Sequence, residues 1–152
     1  MATVERLKEL VEGVTARAGY SSSIGTRVLE VRRGEVTMAL DRRSDLQQVH
    51  GQFHGGVIAG LADHAAGAAV TTAFPEGKFA VTVDLHVNFL APALGDSLIA
   101  RAKALRVGGT IGVSHVDVYS VCAGKEEICA VITATMRAVD FPGTEPARHF
   151  KI

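Results

Sequence analysis

Tryptophan is absent from the 152 residues, and all aromatic residues together make up 5% of them. The core cannot rest on large flat side chains. Sixteen glycines and abundant alanine suggest close backbone approaches instead. Neither sign of charge is in excess: 16 Lys+Arg against 16 Asp+Glu leaves a formal net charge of zero. Without a basic surplus to gather phosphates, a nucleic-acid-binding role is disfavoured. No stretch approaches the ~20 apolar residues of a membrane span. The opening MATVERLKELVEGV is charged throughout and lacks a leader's apolar core, so a cytoplasmic protein with no membrane partner is expected. Only two cysteines occur, Cys122 and Cys129. They fit no metal spacing and no disulfide framework, and read as small core residues.

Hydrophobic residues make up 47% and charged residues 21%, a balance that argues against disorder. The length suits one domain over 1–152, large enough to bury a core without metal or disulfides. No repeat, linker or low-complexity stretch interrupts it.

Residues 3–18 place Val4, Leu7, Leu10, Val11 and Val14 at helical spacing, with Thr3 as N-cap and Gly19 as stop. They form an amphipathic opening helix within an N-terminal lead-in, 1–25. Residues 26–41 read as extended, with Arg33-Gly34 as a hairpin turn. Residues 42–53 have no period and read as a loop. Residues 54–74, HGGVIAGLADHAAGAAVTTAF, are long and Ala-rich, which favours helix. After Pro75 come four β-like runs, 79–90, 97–107, 111–121 and 127–139, and then a loose tail, 141–152. Strands gathered around one Ala/Gly-rich helix predict an α+β domain, an antiparallel sheet wrapped around that helix.

The segment with chemical content is 48–70, whose one acidic residue is Asp63. On a helix Asp63 shares a face with Gly56, Ala59, Gly60, Ala66, Gly67 and Val70, nearly all small. Such a face leaves room for a slender ligand beside a carboxylate. It could equally pack against another helix, with Asp63 exposed. Val57, Ile58, Leu61 and Ala65 lie on the other side, for the sheet. His54-Gly55-Gly56 opens the helix, where free N–H groups and the helix dipole suit a polarised carbonyl. His54 and Asp63 lie on opposite sides of the helix and ~13 Å apart along it, which excludes a dyad within one helix. Gly56 and Asp63 share a face but are ~10 Å apart. If both act on one carbonyl, a second subunit supplies one of them.

HGGVIAGLAD together with DLHVNFLAPALGD (84–96) resembles the PaaI-like acyl-CoA thioesterases of the hotdog-fold (4-hydroxybenzoyl-CoA thioesterase) superfamily. The likeness covers roughly 26–140. Its pattern is an amide residue six before a His, then HGG, then an acid seven after the second Gly. An Asn-Phe-x-x-Pro turn and a Gly-x-Thr turn follow. Here these are Gln48, His54-Gly55-Gly56, Asp63, Asn88 to Pro92, and Gly108-Gly109-Thr110.

The resemblance implies a hotdog fold and hydrolysis of an acyl-CoA to a free acid and CoA, with no cofactor and no metal. It implies that Asp63 is the nucleophile or the base on water. Gly55 or Gly56 would polarise the carbonyl, and Gln48 stands where the family has Asn, one methylene shorter. Thr82 occupies a position where a hydroxyl can stand near the acid, or is an ordinary strand Thr. Phe53, Ala59, Gly60, Gly67, Phe89, Pro92, Gly109 and Thr110 are candidate substrate contacts, and Phe74 joins the pocket wall, which suits aryl or medium-chain acyl groups. The family likeness also implies homodimers joined edge to edge, with active sites at the interface, paired further into tetramers. Two alternatives stand beside this reading: a noncatalytic acyl-CoA-binding module, and a dehydratase or hydratase on acyl thioesters.

His54 stands with Gly55 and Gly56 among the catalytic candidates. A turn separates it from His50, which disfavours metal. Other residues read as structural. His86 and His115 alternate within strands, and His64 points elsewhere on the helix than Asp63. Ser114 and Ser120 lack a nucleophile-elbow sequence. Arg101, Lys103 and Arg106 either meet coenzyme A phosphates or form a solvated strand edge.

Overall fold

A computed structural model describes residues 1–141; the expected loose tail beyond them lies outside the described residues. Helix α1 (Val4–Ala16) starts where Thr3 Oγ1 accepts from Arg6 N at 3.3 Å, satisfying one orphan donor. Leu7, Val11 and Thr15 form its buried stripe at i, i+4 and i+8. A one-turn helix follows in the lead-in, α2 (Tyr20–Ser23), which the sequence reading did not place. Strands β1 (Arg27–Arg32) and β2 (Glu35–Asp41) make the expected hairpin, and Gly34 takes the positive φ of 78° that its turn requires. The loop after β2 holds a short 3-10 turn, Ser44–Leu46, and one bridge, Gln47 to Phe53.

Helix α3 (Gly55–Ala73) is the centre of the fold. Strands β3 (Lys78–Phe89), β4 (Ser97–Val107), β5 (Ile111–Cys122) and β6 (Lys125–Asp140) complete one antiparallel sheet in the order β1-β2-β4-β5-β6-β3. The sheet contacts α3 from β2, β3, β4, β5 and β6, so it wraps the helix. Val57, Ile58, Leu61 and Val70 are buried on α3, each contributing about 1.5–3 kcal/mol by removal from water. Between them Ala62, Ala65, Ala66 and Ala69 are fully buried, and their short side chains let the strands come close. The approach is tightest at Gly112 of β5, where a Cβ would lie 2.5 Å from Val70 Cγ1.

The alternation in β4 and β5 is as the sequence predicts. Leu98, Ala100 and Ala102 face inward, as do Ser114, Val116, Val118 and Ser120. The two cysteines divide: Cys129 is a core residue, with burial pushing its thiol up to about 11, whereas Cys122 is exposed at the end of β5. Ser114 Oγ is buried, with no hydrogen-bond partner among the described residues.

The strand order positions the site. After α3 the chain crosses to the far edge, so among the described residues β3 pairs only with β6 and its other edge carries no strand. Exposed apolar side chains line this strand, among them Val83 at 63% and Phe89 at 56% accessibility.

Candidate active site

Asp63 sits at the middle of α3, and its Oδ1 accepts a 2.7 Å hydrogen bond from Thr82 Oγ1 on β3. The same hydroxyl lies 3.4 Å from Met136 Sδ. The register of β3 against β6 shifts between Thr82 and Asp84, a bulge beside the hydroxyl. Bulges re-aim side chains at sheet edges, and this one adjoins the residue that turns inward to the carboxylate. Thr82 is therefore a partner of the acid and not an ordinary strand Thr.

The carboxylate opens into a cleft of about 110 Å³ between α1, α3 and β3. Its walls include Leu10 and Val14 of α1, Gly67 and Ala68 of α3, and Phe79 of β3. The expected small-residue face is thus open toward its C-terminal half, at Asp63 and Gly67. Toward the N-terminus it is filled. The ring of Tyr20 lies over Gly60, where a Cβ would come within 2.5 Å of it, and Tyr20 Oη donates to Gly56 O at 3.4 Å. Ala66 and Val70, placed on the same face by periodicity, are buried. Gly60 thus packs against Tyr20 of α2.

His64 also departs from expectation. Adjacent helix residues point ~100° apart, yet the cleft is broad enough that His64 lines it together with Asp63. Its Nε2 is 2.9 Å from Thr15 Oγ1. Burial lowers its pKa below the ordinary value, opposed by the charge of Asp63.

Gln48, Gly55, Phe53, Phe89 and Pro92 gather at a second concavity, about 460 Å³, at the start of α3. Phe53 is almost wholly buried, so only an edge of it is offered there. Gln48 lies in a turn closed by Gln48 N to Gln52 O at 3.0 Å and Gly51 N to Gln48 O at 2.9 Å. Arg42 clamps this turn: its guanidinium donates to Gly51 O and, at 2.8 Å, to both Leu94 O and Gly95 O. Nothing in the aperiodic stretch 42–53 marks Arg42 for this role.

His54 is the N-cap of α3, its Nδ1 accepting from Gly56 N at 2.9 Å. The Gly56 N–H is therefore committed to the cap. Among the first-turn glycines Gly55 keeps an N–H with no partner among the described residues. A Cβ on Gly55 would lie 3.1 Å from Phe89 Cζ, so glycine lets the aromatic edge reach the helix start. Of the two expected carbonyl-polarising groups, the geometry leaves Gly55.

Within one chain these groups do not meet. Gly55 and Asp63 are separated by eight residues, a rise of ~12 Å. Ala59, Gly109 and Thr110 line neither concavity. Gly109 and Thr110 are exposed in the β4–β5 turn, where Thr110 O accepts from Ala138 N at 2.8 Å. Phe74 is buried in the core, not in a pocket wall at the acid. Arg101 is held by Glu126 at 2.6 and 2.8 Å and lies over the Tyr119 ring, and Lys103 is 3.4 Å from Glu35. Those two basic residues belong to a mixed-charge outer face of the sheet.

Residues 50–122 match the family model described as the thioesterase superfamily. A thioesterase family protein from Silicibacter pomeroyi has a crystal structure that superposes with a TM-score of 0.85 at 30% identity, over 89% of this chain and 99% of that one. A mutant form of the phenylacetic acid degradation protein PaaI from Thermus thermophilus gives 0.65 at 30% identity over 76% and 95%. Acyl-coenzyme A thioesterase 13 of Homo sapiens is 25% identical over 123 residues, 80% of this chain and 87% of its own.

Proposed function

The chain belongs to the thioesterase superfamily, in its PaaI-like hotdog form, and from that premise we propose that it hydrolyses acyl-CoA thioesters to a free acid and CoA. Thioester hydrolysis is the chemistry of the family; the acyl-CoA substrate and the residue roles are our reading. The observation that carries it is the Asp63 carboxylate, oriented by Thr82 beside an apolar cleft. A thioester is already activated, so a positioned carboxylate, water and one N–H suffice. Asp63 activates water or attacks the carbonyl carbon itself, and Gly55 N–H holds the oxygen as it gains charge. In the base route the proton taken from water passes to the sulfur as the C–S bond breaks, giving the free acid and CoA thiol; in the nucleophilic route CoA leaves as the thiolate, and water then hydrolyses the acyl–Asp63 anhydride, releasing the acid and supplying the proton. Gln48, beside Gly55, orients the carbonyl or the water. The cleft is lined mainly by apolar side chains and suits an aryl or medium-chain acyl group.

We further propose a homodimer joined through β3. An antiparallel pair of β3 strands about a two-fold axis near Leu85 and His86 would set Thr82 of one protomer opposite the partner's Phe89. That brings Asp63 toward the second concavity of the other chain, forming two equivalent sites. The open edge and its exposed Val83 and Phe89 support this pairing. A dehydratase reading has less support, because His54 is engaged as a helix cap and lies far from Asp63.

The test is a hydrolysis screen over short, medium, long and aryl acyl-CoAs, with Asp63→Asn as control. The wild type should release CoA from at least one class, and the variant should be slower by about 10²-fold or more. A folded variant with undiminished turnover would remove Asp63 from the mechanism. Tight acyl-CoA binding without any turnover by the wild type would indicate a binding module.

A further inference from the structure

The Asp63 cleft is mostly apolar, and besides Thr71 and the Asp63–Thr82 pair it holds a second polar pair. Thr15 of α1 and His64 of α3 both line it, and their contact joins the two helices. Thr15 Oγ1 lies 2.7 Å from Val11 O, and a carbonyl only accepts, so the hydroxyl proton is engaged there. The threonine oxygen must then accept from His64, which places the ring proton on Nε2. Burial favours the neutral ring, so Nδ1 keeps its lone pair. Nδ1 has no partner among the described residues, and it is not one of the sealed polar atoms that lack one. His64 lines the cleft, and its free ring nitrogen is an acceptor with a fixed tautomer, held by a neighbouring helix.

We propose that His64 and Thr15 form a specificity-determining end of the Asp63 cleft, selecting acyl groups that carry a hydrogen-bond donor, an alcohol or phenol hydroxyl, over isosteres without one. This rests on the acyl-CoA hydrolase reading and deepens it. A hydroxyl entering an apolar cleft loses water and needs a replacement partner. Nδ1 supplies one, whereas a methyl in the same place leaves the imidazole nitrogen dry and unpaired. Without His64, the same cleft would favour the methyl.

The experiment compares hydroxyl-for-methyl pairs: 6-hydroxyhexanoyl-CoA against heptanoyl-CoA, and a phenolic acyl-CoA against its methyl counterpart. The readout is the ratio of kcat/KM within each pair, which cancels losses common to both substrates. We expect at least one pair to show a preference of about 10-fold for the hydroxyl in the wild type. In His64→Leu the preference should invert. In Thr15→Val, which removes the oxygen that fixes the tautomer, it should shrink. No preference in the wild type, or a preference unchanged in both variants, would overturn the proposal. If none of the esters is hydrolysed, the hydrolase reading fails separately. Calorimetric affinities for the same pairs then decide the selectivity: tighter binding of the hydroxyl members sustains it, and equal binding ends it.

Discussion

Two inactive variants, mixed, should make an active enzyme. The first is Asp63→Asn, which keeps shape and removes the charge. The second is Gly55→Pro, which deletes the one first-turn N–H that no group claims. Gly55 is the first residue of α3, where proline is favoured, and His54 before it has φ −65° and ψ 137°, which a following proline accepts. The nearest atoms to the new Cβ are those of the Phe89 side chain, 3.1 Å away at Cζ. Loss of one oxyanion donor should cost about 10²–10³ in turnover, or ~2.7–4 kcal/mol. Loss of the acid should cost about 10² or more. Each homodimer should then run at roughly 1% or less. If Asp63 of one chain works with Gly55 of the other, a heterodimer carries both lesions in one site and neither in its second. It should turn over at about half the wild-type rate per dimer. Random 1:2:1 reassembly makes about half of the dimers mixed, so the whole mixture should recover about a quarter. Differently tagged protomers, purified through both tags, allow the heterodimer to be assayed by thiol release. A folded heterodimer as inactive as its parents would refute the shared site, since both lesions would then fall within single-chain sites.

Three further outcomes follow from the same contacts. Thr82→Val keeps the strand and removes the 2.7 Å donor to Asp63, so kcat should fall by about 10-fold with KM little changed; equal kcat would make the contact incidental. Gly112→Ala forces a methyl against Val70 and should destabilise the fold by about 1–3 kcal/mol in urea unfolding, with an unchanged midpoint contradicting the close approach. The lowered pKa of His64 means that the folded state binds fewer protons than the unfolded chain once pH drops below the ordinary value of about 6.5. Stability contributed by this group is therefore intact above that pH and declines below it. Urea midpoints at pH 7.5 and 5.5 should differ less in His64→Gln than in the wild type; an identical difference would show that His64 is not the group responsible.

The elements that were legible in the sequence owe that to periodicity. Alternation in 97–107 and 111–121 reports a sheet with one covered face, and alternate residues of β4 and β5 are buried. The Ala-rich run 54–74 became a nearly buried helix because small side chains admit a sheet on several sides. Helix α2 escaped because Tyr-Ser-Ser-Ser is a single turn, too short for any period to register. Its tyrosine bears on the site. Periodicity places Gly60 beside Asp63, but whether the space above a glycine holds a ligand or a side chain depends here on Tyr20, far back in the chain. Arg42 was hidden similarly: a guanidinium that binds three carbonyls leaves no pattern in its own neighbourhood.

Asp63 was legible for a different reason. A carboxylate among small residues on an otherwise apolar helix is costly unless something uses or pairs it, and the structure supplies a pair in Thr82. The separation of Asp63 from the glycine that would polarise its substrate was also legible, since helical rise follows from residue number alone. Sheet order adds the physical reason that this separation need not be a defect. Strand β3 carries Thr82 near one end and Phe89 at the other, and these two residues mark the acid cleft and the glycine concavity respectively. It is also an edge strand. A two-fold axis midway between Thr82 and Phe89, near Leu85 and His86, exchanges these two positions of an antiparallel edge pair. The same strand that holds the two half-sites apart within a chain is thus the element best placed to bring them together between chains.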